Sequence, residues 1–131
     1  MVKKRKNGEE IANTSEPITI EATVDQNELH ASLEEIKNYE GVVGYILRNT
    51  TSASIDLKDP AKIIDYALLS ATSFDATERF SDIFQLGNVK NVVVGGKSIK
   101  MLSLALDGNK ISVFMENNGD AEKALRRIQT F

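Results

Sequence analysis

From Pro60 to Leu86 the sequence PAKIIDYALLSATSFDATERFSDIFQL keeps an unbroken helical pattern, the longest in the chain, and everything on either side reads as short strands and shorter helices. Asp59 is placed to cap the first turn through its carboxylate. Pro60 suits the first helical position because it has no donor to lose there, and Gly87-Asn88 supplies a left-handed stop. At 1.5 Å per residue such a helix spans roughly 40 Å, more than one sheet face of a small domain requires. Ile64, Ala67, Leu68, Ala71 and Phe74 recur at helical spacing as an apolar stripe. Beside them Ser70, Ala71, Ser73 and Ala76 are small enough to let another helix approach closely. Two readings stay open: a helix that only covers its own sheet, or one that also pairs with its copy in a dimer.

The remainder must supply what this helix covers. A chain of 131 residues is one ordinary domain, long enough to bury about two-thirds of its unfolded surface. The absence of cysteine removes a disulfide framework, a thiolate nucleophile and a cysteine-type zinc site. A net charge of −3 argues against nucleic-acid binding by the body of the domain and favours protein partners. No window approaches the roughly eighteen consecutive apolar residues of a membrane span, and the basic N-terminus is not followed by the apolar run of a signal peptide. A cytoplasmic protein is expected.

Residues 1–16 carry Lys3, Lys4, Arg5 and Lys6, then mostly small and polar residues, and read as a disordered tail. The basic run is either a solvated stretch or a contact for an anionic surface. Residues 17–24 alternate Ile18, Ile20, Ala22 and Val24 with Thr19, Glu21 and Thr23, which fits an edge strand or an extended arm. The folded domain is expected over 25–131. Asp25 and Glu28 have capping-box spacing, and Leu29, Leu33 and Ile36 form the apolar face of a helix that Gly41 ends. His30, the lone histidine, reads as a surface residue rather than a catalytic one.

Val42 to Arg48 and Ser52 to Leu57 read as a hairpin turning at Asn49-Thr50-Thr51. Gly44, inside a strand, signals a bulge or a close backbone approach. After the long helix come three strands, Val89 to Val94, Ser98 to Leu106 and Lys110 to Glu116. Gly95-Gly96 and Asp107-Gly108 supply turn residues, so these strands predict an antiparallel meander. Alternation in the second of them predicts a strand covered on both faces and central in the sheet. Ala121, Ala124, Leu125 and Ile128 mark a closing helix, with Lys123, Arg126 and Arg127 toward solvent.

Catalytic signatures are absent. Phosphate-loop, HExxH and GxSxG spacings do not occur. Gly95-Gly96-Lys97-Ser98 lacks the earlier glycine of a phosphate loop, because Asn91 occupies that place, and reads as a hairpin turn. Asp75, Glu78 and Asp82 form an acidic row on the long helix. Arg79 sits among them and ligands from one helix alone rarely enclose an ion, so a solvated or partner-facing surface is the better reading. No enzyme activity, cofactor or metal is expected.

The stretches LEEIKNYEGVVGYILRN and NVVVGGKSIKMLSLALDGNKISVFMEN, joined by the hairpin and the long alanine-containing helix and followed by a terminal helix, resemble the roadblock/dynein-light-chain family. The resemblance implies an α+β sandwich. Its five-stranded antiparallel sheet carries one long helix on one face and two shorter helices on the other. It also implies a homodimer joined through the long helix and the third strand, which here puts Ala67, Ser70, Ala71, Phe74, Val89, Asn91 and Val93 in the interface. The apolar Val89–Val94 stretch supports this from its own chemistry, since an uncovered apolar edge invites pairing. Family members act as platforms for small Ras-like GTPases or as dynein-associated light chains. By analogy Asp75, Glu78, Arg79 and Asp82 are the expected GTPase-facing residues. The alternatives are a small-molecule sensor, which requires an internal pocket, and a structural assembly subunit.

Overall fold

The computed structural model describes residues 25–87 and 89–130. The expected tail and arm before Asp25, and Asn88 of the expected helix stop, lie outside these. The elements are α1 (Gln26–Ile36), β1 (Val42–Arg48), β2 (Ala53–Leu57), a 3-10 turn (Pro60–Lys62), α2 (Ile63–Phe84), β3 (Asn91–Gly95), β4 (Ile99–Leu106), β5 (Asn109–Glu116) and α3 (Ala121–Ile128). The strands form one sheet in the order β2-β1-β5-β4-β3, antiparallel throughout. The hairpins join neighbours. α2 instead carries the chain from one edge strand, β2, to the other, β3. The strand expected at the centre, β4, is interior and covered on both faces, but β5 takes the middle position.

One face of the sheet is closed by α1 and α3. Leu29, Leu33 and Ile36 of α1 and Ala124 and Ile128 of α3 meet Tyr45, Leu47, Leu102, Leu104, Ile111, Val113 and Met115 in the larger core. Fully burying side chains of this size stabilises by about 1.5–3 kcal/mol each. α2 lies on the other face, over a smaller cluster of Ile46, Met101 and Phe114 to which Tyr66, Ala67 and Leu69 add cover. Tyr66 stacks on Phe114 with ring centroids 4.6 Å apart.

Local chemistry explains the boundaries. The Asp25 carboxylate accepts from the N–H groups of Asn27 and Glu28 at 2.9 and 3.3 Å, opening α1. Asp59 accepts from Ala61 N–H at 3.1 Å, so the expected cap forms, but it opens the 3-10 turn that precedes α2. α2 stops at Gln85, itself left-handed at φ 53°, two residues before Gly87. α1 ends at Ile36, well before Gly41. Gly41 instead sits at φ +84°, where a Cβ would meet Asn118 and Gly119 at 2.7–2.9 Å, so it admits the α3 connection rather than stopping the helix. Gly44 fulfils both expectations. The β1–β5 register shifts between Val42 and Gly44, and a Cβ on Gly44 would lie 2.2 Å from the Asp56 carbonyl oxygen.

The closed face is also stitched by polar bonds. Tyr45 donates to Glu34 Oε2 at 2.5 Å. Lys37 reaches Asp56 at 2.6 Å and Glu34 at 3.1 Å. Arg127 is not solely solvent-directed as expected, for it pairs with Glu35 at 3.2 Å across α1 and α3. Lys123 stands over the Tyr39 ring at 4.3 Å. The lone histidine, His30, is exposed, with its Nε2 3.3 Å from the Tyr45 hydroxyl.

Candidate functional site

α2 has two dissimilar sides. Of its 22 residues only Ser70 and Phe74 are buried. Ser70 Oγ lies 2.6 Å from Ser112 Oγ, which is 2.9 Å from Ser103 Oγ, so three buried serines run from helix to sheet. Phe74 lies beneath two cations, with Arg48 Cζ 5.9 Å and Lys110 Nζ 5.5 Å from its ring centroid. On the outward side Ile64 is 80% and Leu68 66% exposed. Asp75 and Arg79 continue that face at helical spacing, and both are exposed. At the C-terminal end Phe80, Ile83, Phe84 and Leu86 are exposed as well.

The apolar stripe expected as one face is therefore divided. Ala67 and Phe74 turn toward the sheet, whereas Ile64 and Leu68 turn away from it. Among the expected interface residues, Ser70 and Phe74 are occupied by the protomer's own core and Ala67 packs on it. Ala71 is half-buried on the flank. β3 is an edge strand, paired only with β4 among the described residues, and Val93 on it is exposed. Asn91 begins that strand, and Val89 precedes it, both half-buried. An apolar helix face and a strand edge left open among the described residues are thus held in one domain.

The expected partner-facing residues Asp75, Glu78, Arg79 and Asp82 are all exposed. Glu78 and Asp82 line a cleft of about 760 Å³ between the C-terminal half of α2 and the β3–β4 side of the sheet, Asp75 and Arg79 are not among its walls, and at helical spacing the four share one side of α2. Ser103 and Ser112, which the sequence reading did not single out, are cross-strand partners on the face beneath α2. Their signal lay in matching alternation: each serine sits on the same parity as Met101 or Phe114 in its strand. Arg48 and Lys110 were missed for a different reason, since only the β1–β5 register brings them opposite each other. Among the described residues no helix is long and apolar enough to cross a membrane, and no group of three metal-ligating side chains occurs.

This architecture, a meandering antiparallel sheet with one long helix on one face and two short ones on the other, defines an α+β sandwich. It is similar to solved structures of one kind. The Roadblock/LC7 domain from Streptomyces avermitilis aligns at TM-score 0.63 and 15% identity, covering 76% of this chain and 88% of that one. Myxococcus xanthus MglB aligns at TM-score 0.63 and 12% identity, covering 82% and 90%. An MglB with a tetrameric arrangement aligns at TM-score 0.60 and 14% identity, covering 86% and 90%. No family profile and no curated protein matches the sequence. The chain has the roadblock/LC7 fold.

Proposed function

We propose that this chain is a non-enzymatic, cytoplasmic platform that forms a homodimer and binds and regulates a small Ras-like GTPase. The observation that carries the reading is the outward side of α2, where Ile64 and Leu68 stand exposed, as do Phe80, Ile83 and Phe84 toward its C-terminal end, while the side chains of the larger core are buried. Several large apolar side chains left in water along one helix favour a surface for another protein. The free edge of β3 supports a self-complementary contact, because two antiparallel edges related by a two-fold axis pair without any new chemistry. The MglB in a tetrameric arrangement shares this fold, which is consistent with assembly through its surfaces. Family resemblance supplies the GTPase as partner.

The proposed interface differs from the residues first expected. Ile64, Leu68, Ala71 and Val93 are available to a second copy, whereas Ser70 and Phe74 serve the protomer's own fold. Asp75, Glu78, Arg79 and Asp82 remain the proposed partner-facing charges. Regulation would follow from differential contact. A platform that binds one arrangement of the GTPase switch segments more tightly than another shifts the nucleotide cycle without donating a catalytic group.

Sedimentation at micromolar concentration tests the dimer, which a clean monomer would refute. The GTPase reading is tested by recovering small GTPases on the immobilised protein, then titrating each in its GDP form and with a non-hydrolysable GTP analogue. Tighter binding of one nucleotide state is expected. Equal affinity for both, or no GTPase bound, defeats the regulatory reading.

A further inference from the structure

The sheet has a second edge, β2, on the side opposite β3, and among the described residues it pairs only with β1. The direction of its backbone groups follows from the ladder. Lys58 N–H donates to Val43 O and Asn49 N–H to Ser52 O, both at 2.9 Å, so in this register Ser54 and Asp56 direct their N–H and C=O groups to β1. Ala53, Ile55 and Leu57 direct theirs outward, to the unpaired edge. The side chains of these three lie on the α2 face, since Ile55 is opposite Ile46, and Ile55 is 42% exposed. On the other face Asp56 holds Lys37 at 2.6 Å. Native sheets seldom leave such an edge uncovered.

The chain that precedes Asp25 is placed to cover it. α1 ends where β1 begins, with Val42 N–H bonded to Tyr39 O at 3.2 Å, so its first residue lies over the far end of β1, where Arg48 pairs with Ala53. α1 also occupies the β2 side of its layer: Lys37 reaches Asp56, while Glu35 turns the other way to Arg127 of α3. Asp25 therefore stands one layer above the start of β2. Three residue steps span about 10 Å at full extension, which is about the separation of packed layers. Reaching the outer side of β3 instead requires crossing β1, β5, β4 and β3 at about 4.8 Å each, around α3.

Residues 17–24, PITIEATV, carry the matching pattern, with Ile18, Ile20 and Ala22 on one side and Thr19, Glu21 and Thr23 on the other. We propose that residues 18–22 add to β2 as a sixth, antiparallel strand, with Ile20 opposite Ile55, Ala22 opposite Ala53 and Ile18 opposite Leu57. This register pairs all three outward residues of β2. It sets the apolar side chains beside Ile55 and Thr19 opposite Asp56, and it leaves Thr23 and Val24 to climb to the Asp25 cap. A slip of one residue would bring the isoleucines to the Lys37–Asp56 pair and Glu21 to the apolar side. Moving Val24 opposite Ala53 would leave a single step to Asp25, too short to change layers. Pro17 and Glu21 blunt the new outer edge. With β2 covered, β3 is the open edge that remains among the described strands, so pairing of copies there closes the assembly instead of propagating it. The strand assignment itself does not depend on the platform reading.

The test is NMR on the full-length, isotope-labelled protein. Contacts between the Hα protons of Thr19 and Asp56, and of Glu21 and Ser54, are expected, because these are the close, non-hydrogen-bonded pairs of the register. The amides of Ala53, Ile55 and Leu57 are expected to be protected from hydrogen exchange, which pairing with β1 alone would not achieve. Ile20→Pro removes the N–H that meets Ile55 O and should cut the Ile55 protection by about tenfold or more. Val113, fully buried in the larger core, should keep its protection and so report an intact fold. Exchange of Ile55 at the rate of an unstructured chain, contacts of residues 18–22 with β3 or α2 in place of β2, or Ile55 protection unaltered in Ile20→Pro would overturn the assignment. So would Hα contacts found only between a labelled and an unlabelled copy, which would give the strand to a second chain.

Discussion

The two faces of the sheet are built to different standards. Under α1 and α3, thirteen side chains form one buried cluster, and the two helices are tied to each other and to β2 by Arg127–Glu35 and Lys37–Asp56. Under α2, three buried side chains form the cluster, and a helix twice as long as α1, at 22 residues against 11, buries only two of its own. Size does not explain the difference. α2 has ample apolar residues, but several of them point outward. Ile64 and Leu68 add nothing to the core beneath α2, and the proposed contact with a second copy gives them a role. The first face supplies the stability that makes this affordable.

The largest expected effect breaks the closed face. Leu33→Ala removes a fully buried side chain and leaves a cavity between α1 and the sheet, at a cost of about 2–5 kcal/mol. Denaturant unfolding measures it, and a loss below about 1 kcal/mol would contradict the picture of a stability-bearing face. On the open face the same kind of experiment has the opposite outcome. Ile64→Glu with Leu68→Glu should change the stability of the monomer by no more than about 0.5 kcal/mol per site, because both side chains are already in water. Association is where the loss is expected: the double variant should sediment as a monomer under conditions in which the unaltered protein is expected to sediment as a dimer. A dimer that persists with both charges in place would move the interface elsewhere.

Which parts were legible in the sequence follows from the same contrast. On the closed face periodicity and caps agree, so Leu29, Leu33 and Ile36 declare a buried stripe, Asp25 declares the helix start, and Gly44 declares a bulge. The meander was legible because its glycine turns and alternating strands specify neighbours locally. On α2 periodicity gave an ambiguous answer. A helix with apolar residues on two sides has no single hydrophobic direction, and spacing alone merged Ile64 and Leu68 with Phe74. The end of α2 was misjudged because Gln85, a residue without the freedom of glycine, adopts the left-handed conformation before Gly87 is reached. The cation pair over Phe74 was invisible because Arg48 and Lys110 are 62 positions apart and meet only through strand register.

Acid sharpens the comparison at smaller scale. The hydrogen bond from Tyr45, and beside it Lys37, hold the Glu34 carboxyl below its ordinary range, and the bond from Arg127 does the same for Glu35. A carboxyl whose folded pKa is depressed contributes stability that is present above its unfolded value and lost as pH falls through the folded one. Both groups belong to α1. Acidification below the ordinary glutamate value, about 4.3, should therefore loosen the closed face first. Glu34→Gln should flatten the dependence of stability on pH in that window, and hydrogen exchange should register the change in α1 before α2. The basic side has the reverse sign. Asp56, then Glu34, raise the Lys37 pKa, so its contribution is intact below the ordinary lysine value, about 10.4, and is lost as pH rises through the raised one. An unchanged slope in Glu34→Gln, or protection lost in α2 before α1, would remove this link from the account.

The smallest expected effect is the most discriminating for the open face. Lys110→Met takes away one cation above Phe74, which as a structural contact contributes about 0.5–1 kcal/mol at a partly exposed site. It also relieves the repulsion from Arg48 across the ladder, about 0.2–1 kcal/mol in the other direction, and keeps the unbranched stem that packs along the strand. The two changes nearly cancel. Lys110→Met should leave the thermal midpoint within a few degrees of the unaltered protein. A large drop would mean that Lys110 is there to hold Phe74 in place, and the open face would then be a less finished version of the closed one. A small change would mean that the cation pair over Phe74 is close to neutral for folding, attraction to the ring offsetting repulsion across the ladder.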